Sequence, residues 1–316
     1  MSRARLGLVC LLTAIGAIMP VYILLGHGGP GEDHRIIWEA ARLADPYQLI
    51  FPYPPIALPL LWPLRPLSLH ASFWLFNLAT CAAFAFAAKP FTRYWPIAAL
   101  TPGALVCFSY GQTGFLVGAF WLLAFNRFSP AVGLLAFKPH LGFLSMLTLR
   151  SRRSWMAASA TVALLSILPT IAYGSSIWLK WFERAHDFAG VAATWDQWDY
   201  ISVSPAVQWG FWPWLAMASI AALLLVRRAD VFTCATATLI ISPYGFIYDT
   251  PAASLGIVLA LIDERNPLKV AILAIALLAP SMIMFSAEWA PAAFLAALWV
   301  QVTSQKRKGE VRAVTE

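Results

Sequence analysis

The chain has 316 residues, of which 60% are hydrophobic and 12% charged, with 22 Lys and Arg against 15 Asp and Glu for a formal charge of +7. A soluble domain carries roughly 25% charged residues, so this composition, with a mean hydropathy of +0.70, excludes an ordinary soluble protein and predicts an all-α, polytopic integral membrane protein. At about 20 apolar residues per crossing, residues 1–316 have room for about 10 to 12 transmembrane or re-entrant helices and for no separate soluble domain.

The first apolar run, 6–25, follows Arg3 and Arg5. It is too long for the core of a signal peptide, and "GHGGPGEDH" offers no small-x-small cleavage site, so a retained first span is expected. An external loop of about 26–52 comes next. In it "GEDHRIIWEA" is helical in spacing, with Ile36, Ile37, Ala40 and Ala41 on one face and His34, Arg35, Glu39 and Arg42 on others. Asp33 is either the cap of that helix or a general base able to take a proton from a sugar hydroxyl. Glu32 and Arg35 are its neighbours. "DPYQLIFPYPP" then pins an extended chain, and Tyr47 and Tyr53 read first as interfacial aromatics.

Further spans are expected at 55–64 (short and broken by proline), 71–88, 95–109, 113–126, 130–149, 154–173, 206–226, 231–244, 251–262, 268–285 and 290–302. In "SYGQTG", between two of these, Gly111 permits a tight turn and Gln112 offers an amide, although a plain helical hairpin needs no more than that. The run 130–149 lies between Arg127 and the cluster Arg150, Arg152 and Arg153, and is expected to turn back at Lys138-Pro139-His140 as two half-helices. That places Lys138 at membrane depth, where an unpaired charge costs about 2.5 to 3.5 kcal/mol. With no acid nearby in sequence, Lys138 and His140 are functional candidates, and a phosphate is a suitable partner.

The longest external loop, about 174–205, holds "SSIWLKWFERAHDF", with Trp178, Trp181, Phe182 and Ala185 on one helical face and Lys180, Arg184 and Asp187 on another. This is a helix lying on the membrane, either as an anchor or as a guide for a lipid phosphate through Lys180 and Arg184. "ATWDQWDY" suits sugar stacking and an interfacial belt equally. In "SPYGFIYDTP", Asp249 with Tyr244 and Tyr248 is either a site or a polar turn.

The clusters Arg3/Arg5, Lys89/Arg93, Arg127, Arg150 to Arg153, Arg227/Arg228, Arg265/Lys269 and the tail of about 303–316 fit one cytoplasmic face. The basic residues form no single patch, so no nucleic-acid partner is expected. The four cysteines lie in apolar runs and read as buried hydrophobes, not a disulfide or metal set. Nucleotide-binding and metalloprotease motifs are lacking.

Taken in order, the first-loop Asp with "EDHRIIWEAARL", then "DPY", "FPYPPIALPLLWPL", "GQTGFLVGAFWLLA", "VGLLAFKPHLGFLSML" and "SPYGFIYDTP" resemble glycosyltransferase family 87 within the C-type glycosyltransferase superfamily. The resemblance covers about 30–260. It implies a multi-spanning enzyme of the inner cell membrane that moves a sugar, commonly mannose, from a polyprenyl-phosphate carrier to a lipid-linked or other external acceptor, with inversion and with the site on the periplasmic face. It implies Asp33 as catalytic base and Lys138 and His140 near the donor phosphate, with roles for Gln112, Tyr248 and Asp249; the charge of a leaving lipid phosphate adds the cations Arg35 and Arg184 as expected substrate contacts, and Tyr53 is expected beside them. No cofactor is implied, and metal independence is expected. The competing readings are a transporter or flippase for a lipid-linked or small polar substrate, and a non-catalytic scaffold.

Overall fold

The apolar runs form helices wherever they are unbroken, and proline and glycine set most of the breaks. In a computed structural model of the chain, residues 3–26, 31–49, 51–194, 201–282 and 288–304 are described. Helix α1 spans Arg3–Gly26 and α2 spans Glu32–Arg42. The proline-rich stretch gives only α3, Leu58–Leu61, between 3-10 turns, because proline removes ladder donors. Then come α4 (Leu69–Ala88), α5 (Pro102–Tyr110), α6 (Gly114–Phe125), α7 (Pro130–Leu134) and α8 (Pro139–Gly142). The second half holds α9 (Arg152–Tyr173), α10 (Ser176–Thr194), α11 (Pro205–Trp209), α12 (Phe211–Arg227), α13 (Val231–Ile241), α14 (Pro251–Asp263), α15 (Pro267–Met282) and α16 (Ala290–Thr303). No strand occurs among the described residues, and one antiparallel bridge joins Ser202 to Phe246.

The all-helical expectation is met, while the expected set of about 10 to 12 transmembrane or re-entrant helices is not confirmed in full. Among the described residues only α1 from Ala4, α4 and α9 are long and apolar enough to cross a bilayer by length and composition. The remaining apolar helices have 10–17 residues, or about 15 to 26 Å at 1.5 Å per residue against a core of about 30 Å. Two expected spans are broken. The 95–109 run divides at Thr101, whose hydroxyl caps α5, and the 206–226 run divides at Gly210 with φ of 80°. The outward faces of the long helices are apolar: Ile18, Tyr22 and Leu25 on α1, Leu75 and Leu78 on α4, and Leu164, Ile167 and Ile171 on α9 are all exposed. Such a belt suits lipid, where helices satisfy their own backbone. Cys10 is also exposed, against expectation, whereas Cys107 and Cys234 are buried, and all four thiols are free.

Between α7 and α8 the chain turns back as its proline predicts. Lys138 sits at the break with φ of −133° and ψ of 70°. A Cβ on Gly142 would lie 2.7 Å from the Leu135 Cβ, a closeness that residues seven apart on one helix, about 10 Å along its axis, cannot reach.

Contacts gather several basic-cluster ends at one end of the bundle. Arg228 Nη1 donates to the Gln301 carbonyl at 2.6 Å, Lys269 Nζ lies 3.1 Å from Thr303 Oγ1, and the Phe91 and Phe232 rings meet at 6.0 Å. The tail from 305 onward, the loop start at 27–30 and "WDQWDY" at 195–200 lie outside the described residues.

Candidate active site

Helix α2 delivers the first acidic residues. Its N-cap is Gly31, which makes no side-chain cap, and Asp33 is already the second helical residue. The expected capping role of Asp33 is therefore replaced by a position inside the first turn, where a carboxylate still complements the helix dipole. The buried face of α2 is His34, Ile37, Ala40 and Ala41, so His34 belongs with the apolar stripe and not on a polar face as its chemistry suggests. Its Nδ1 lies 3.1 Å from the Gly111 carbonyl and its Nε2 2.9 Å from Ser72 Oγ. A carbonyl only accepts, so Nδ1 carries a hydrogen toward Gly111, while the Ser72 hydroxyl beside Nε2 also donates to the Leu69 carbonyl at 2.8 Å. Burial holds the His34 pKa below its ordinary 6.5 despite the Gly111 bond.

This contact docks α2 on the "GQTG" turn. Gly111 adopts φ of 63°, the left-handed conformation that closes α5 and favours glycine. Beyond it, the Tyr53 hydroxyl donates to Gln112 Oε1 at 2.9 Å and meets Thr113 Oγ1 at 3.1 Å. Tyr53 is itself fixed, because the Tyr47 hydroxyl donates to its carbonyl at 2.9 Å. Gly114 completes the approach: its Cα lies so near the segment before α14 that a Cβ would stand 1.7 Å from the Tyr248 carbonyl oxygen.

Lys138 and Asp249 meet in the middle. The lysine Nζ lies 2.6 Å from Asp249 Oδ1, with the two side chains 7% and 0% exposed. The other carboxylate oxygen accepts from the Phe246 N–H at 3.3 Å. The rings of Tyr53 and Tyr248 flank the ammonium at 5.3 and 5.4 Å, within the range of a cation–π contact. The charge of Asp33 is felt at the same pair of tyrosines. Tyr248 is pushed well above its ordinary pKa by burial and then by the charges of Asp33 and Asp249. At Tyr53 burial raises the value, the Lys138 charge and the Thr113 hydrogen bond oppose it, and Asp249 and Asp33 add to it.

The structure thus brings together Asp33, Tyr53, Gln112, Lys138, Tyr248 and Asp249, and it supplies the lysine with an acid 111 residues away. His140 adjoins them, stacked on Tyr244 at 4.0 Å with its Nδ1 buried and unpartnered. Arg184 lies elsewhere: its Nε donates to the Leu49 carbonyl at 3.1 Å, and Lys180 pairs with Asp45 at 2.5 Å, so both fasten α10 to the first loop. Arg35 is half exposed and pairs along its own helix with Glu39 at 3.8 Å. His34 is the residue that sequence reasoning missed. Its place at i, i+3 and i+7 with Ile37 and Ala41 is the signal that marks it as inward. Among the described residues no group of three His, Cys, Asp or Glu side chains forms a metal-holding cluster.

The family model of glycosyltransferase family 87 matches residues 51–286. Tyr53, Gln112, Lys138, His140, Arg184, Tyr248 and Asp249 fall within that range, and Asp33 and Arg35 precede it. No curated protein and no solved structure matches the chain. With three quarters of its length matched, and with the matched loops converging on one buried centre, the chain belongs to glycosyltransferase family 87 and is a membrane glycosyltransferase.

Proposed function

We propose that the enzyme transfers a sugar, mannose or another hexose or pentose, from a polyprenyl-phosphate carrier to a lipid-linked or glycan acceptor outside the inner membrane, with Asp33 as general base. The observation that carries this reading is the buried Lys138–Asp249 pair with Tyr53 and Tyr248 beside it, next to the first turn of α2, which bears Asp33 and docks on Gly111 through His34. The Lys138 ammonium lies 5.3 and 5.4 Å from the rings of Tyr53 and Tyr248, and the Asp33 charge helps raise the pKa of both.

In a single displacement, the acceptor oxygen forms a bond to the anomeric carbon while the bond from that carbon to the carrier phosphate breaks. The acceptor proton passes to Asp33, and the phosphate leaves with the electron pair. Inversion follows because attack and departure occupy opposite faces. The leaving phosphate needs a cation already in place. Lys138 has three N–H donors, of which Asp249 takes one, so the ion pair orients the ammonium while leaving donors for phosphate oxygen. His140, with its unpartnered Nδ1, adds a second contact there. Tyr53 uses the Gln112 carbonyl oxygen, which leaves the Gln112 amide nitrogen for a sugar hydroxyl. Arg35 and Arg184 guide the charged carrier at the loop surface. The basic ends of the bundle are assigned to the cytoplasm by the positive-inside rule, which puts this centre on the external side.

The test is Asp33→Asn in the purified full chain, supplied with polyprenyl-phosphate mannose and a membrane-lipid acceptor extract. General-base loss predicts a fall of about 10² to 10⁴ in turnover with unchanged thermal stability. Unaltered turnover would remove Asp33 from the mechanism, and equal use of a nucleotide sugar would remove the lipid carrier.

A further inference from the structure

At the far end of α2 a second polar centre stands apart from Lys138. A cleft of about 620 Å³ is lined by Arg42, Leu43, Ala44, Arg65, Ala172 and Tyr173. Its two guanidiniums are drawn together by backbone: Arg42 Nη1 donates to the Arg65 carbonyl at 2.9 Å and to the Leu67 carbonyl at 3.2 Å, and Arg65 Nε donates to the Ala41 carbonyl at 2.5 Å. Arg65 Nη2 also donates to the Tyr173 hydroxyl. Aromatic faces hold them in place, Trp38 under Arg42 at 4.6 Å and Trp62 under Arg65 at 5.0 Å.

Among the described residues neither arginine has a carboxylate partner. The two acids nearest in sequence are already engaged, Glu39 with Arg35 and Asp45 with Lys180. Two like charges are therefore positioned side by side without a counterion, both exposed and both with N–H groups left over, which is the arrangement that planar guanidinium forks use for phosphate. The cleft also opens beside lipid-facing surface. Ala172 and Tyr173 end α9, and the exposed stripe Leu164, Ile167 and Ile171 leads up to them.

We propose that this cleft binds the phosphodiester of an anionic lipid whose chains lie along α9, and that this lipid is the anchor of the acceptor. The assignment to the acceptor rests on the proposed role of Asp33. The carrier phosphate must lie at the carbon under attack, whereas Arg42 is nine residues along α2 from Asp33, about 13 Å by helical rise. An acceptor is under no such constraint, because its reacting hydroxyl and its lipid phosphate are separated by glycan.

Native mass spectrometry of the purified full chain tests this without turnover. The probes are phosphatidylglycerol, diacylglycerol, a polyprenyl phosphate and inorganic phosphate, offered to the natural chain, to Arg42→Gln/Arg65→Gln and to Arg42→Gln alone. The last variant keeps the Arg65 contacts that support the fold. Retention of phosphatidylglycerol is expected to weaken at least tenfold in the double variant and severalfold in the single one, while the polyprenyl phosphate is held equally by all three. Asp33→Asn is expected to bind phosphatidylglycerol normally, which separates failure of this site from failure of the proposed base. Unchanged phosphatidylglycerol retention in both arginine variants, or equally tight diacylglycerol, overturns the site. Arginine-dependent retention of the polyprenyl phosphate overturns the acceptor assignment, and inorganic phosphate bound as tightly as the lipid overturns the lipid as its source.

Discussion

Removing either member of the Lys138–Asp249 pair should destabilise the protein, and by unequal amounts. The pair is buried, with a 2.6 Å contact and side chains 7% and 0% exposed. Stranding one charge of such a pair costs about 3 to 5 kcal/mol. Asp249→Asn leaves the ammonium between the faces of Tyr53 and Tyr248, each of which returns about 0.5 to 2 kcal/mol, so the loss falls near the lower end. Lys138→Met leaves the carboxylate with the 3.3 Å bond from the Phe246 N–H, so the loss falls near the upper end. The double variant Lys138→Met/Asp249→Asn strands no charge and should recover most of the deficit. Thermal unfolding of the purified chain in detergent reads this out, at about 2 to 4 °C per kcal/mol. Equal losses in the two single variants would refute the role given to the tyrosine faces. Additive losses in the double variant would refute the pairing itself.

Three further outcomes follow from the same centre. Tyr53→Phe removes the donor to Gln112 Oε1, which keeps the longer 3.4 Å bond from the Thr113 N–H, and should cost about 0.5 to 1.5 kcal/mol in thermal unfolding, the net worth of one hydrogen bond. Gly114→Ala would drive a Cβ to 1.7 Å from the Tyr248 carbonyl oxygen, whereas a Cβ on Gly245 meets nothing closer than 3.8 Å. The first should lower the yield of folded protein, with a cost of about 3 kcal/mol or more, and the second should fall within about 0.5 kcal/mol of the natural chain. His34 has a folded pKa below its unfolded 6.5, so its contribution is present above that pH and is lost as pH falls below it. The natural chain should lose up to about 1.4 kcal/mol per pH unit more than His34→Gln in that acid range; parallel stability curves would contradict the assignment.

The long helices were legible because composition alone marks an unbroken run of 20 or so apolar residues. The break at Lys138 was legible because proline forbids continuation. Length was the weaker guide: 95–109 and 206–226 read as continuous hydropathy, but Thr101 and Gly210 divide them through backbone geometry that hydropathy does not register. In the site, Asp33, Lys138 and Asp249 each stood out as charges in apolar surroundings. Their mutual arrangement did not, because a contact between residues 111 apart leaves no trace in local periodicity. Arg42 was legible only as part of a polar face of α2, and its proximity to Arg65 arises only when α2 packs beside α3.

The Lys138–Asp249 pair also sets an order of assembly during synthesis. Its acid emerges 111 residues after its lysine, a delay of roughly 6 to 20 s at ordinary elongation rates. Throughout that interval the hairpin of α7 and α8 carries its cation without the carboxylate that pairs with it in the folded protein. The hairpin therefore cannot settle at its final depth until the chain before α14 arrives, so a pause or truncation between the two should leave it accessible to water-soluble lysine reagents and to quality-control proteases.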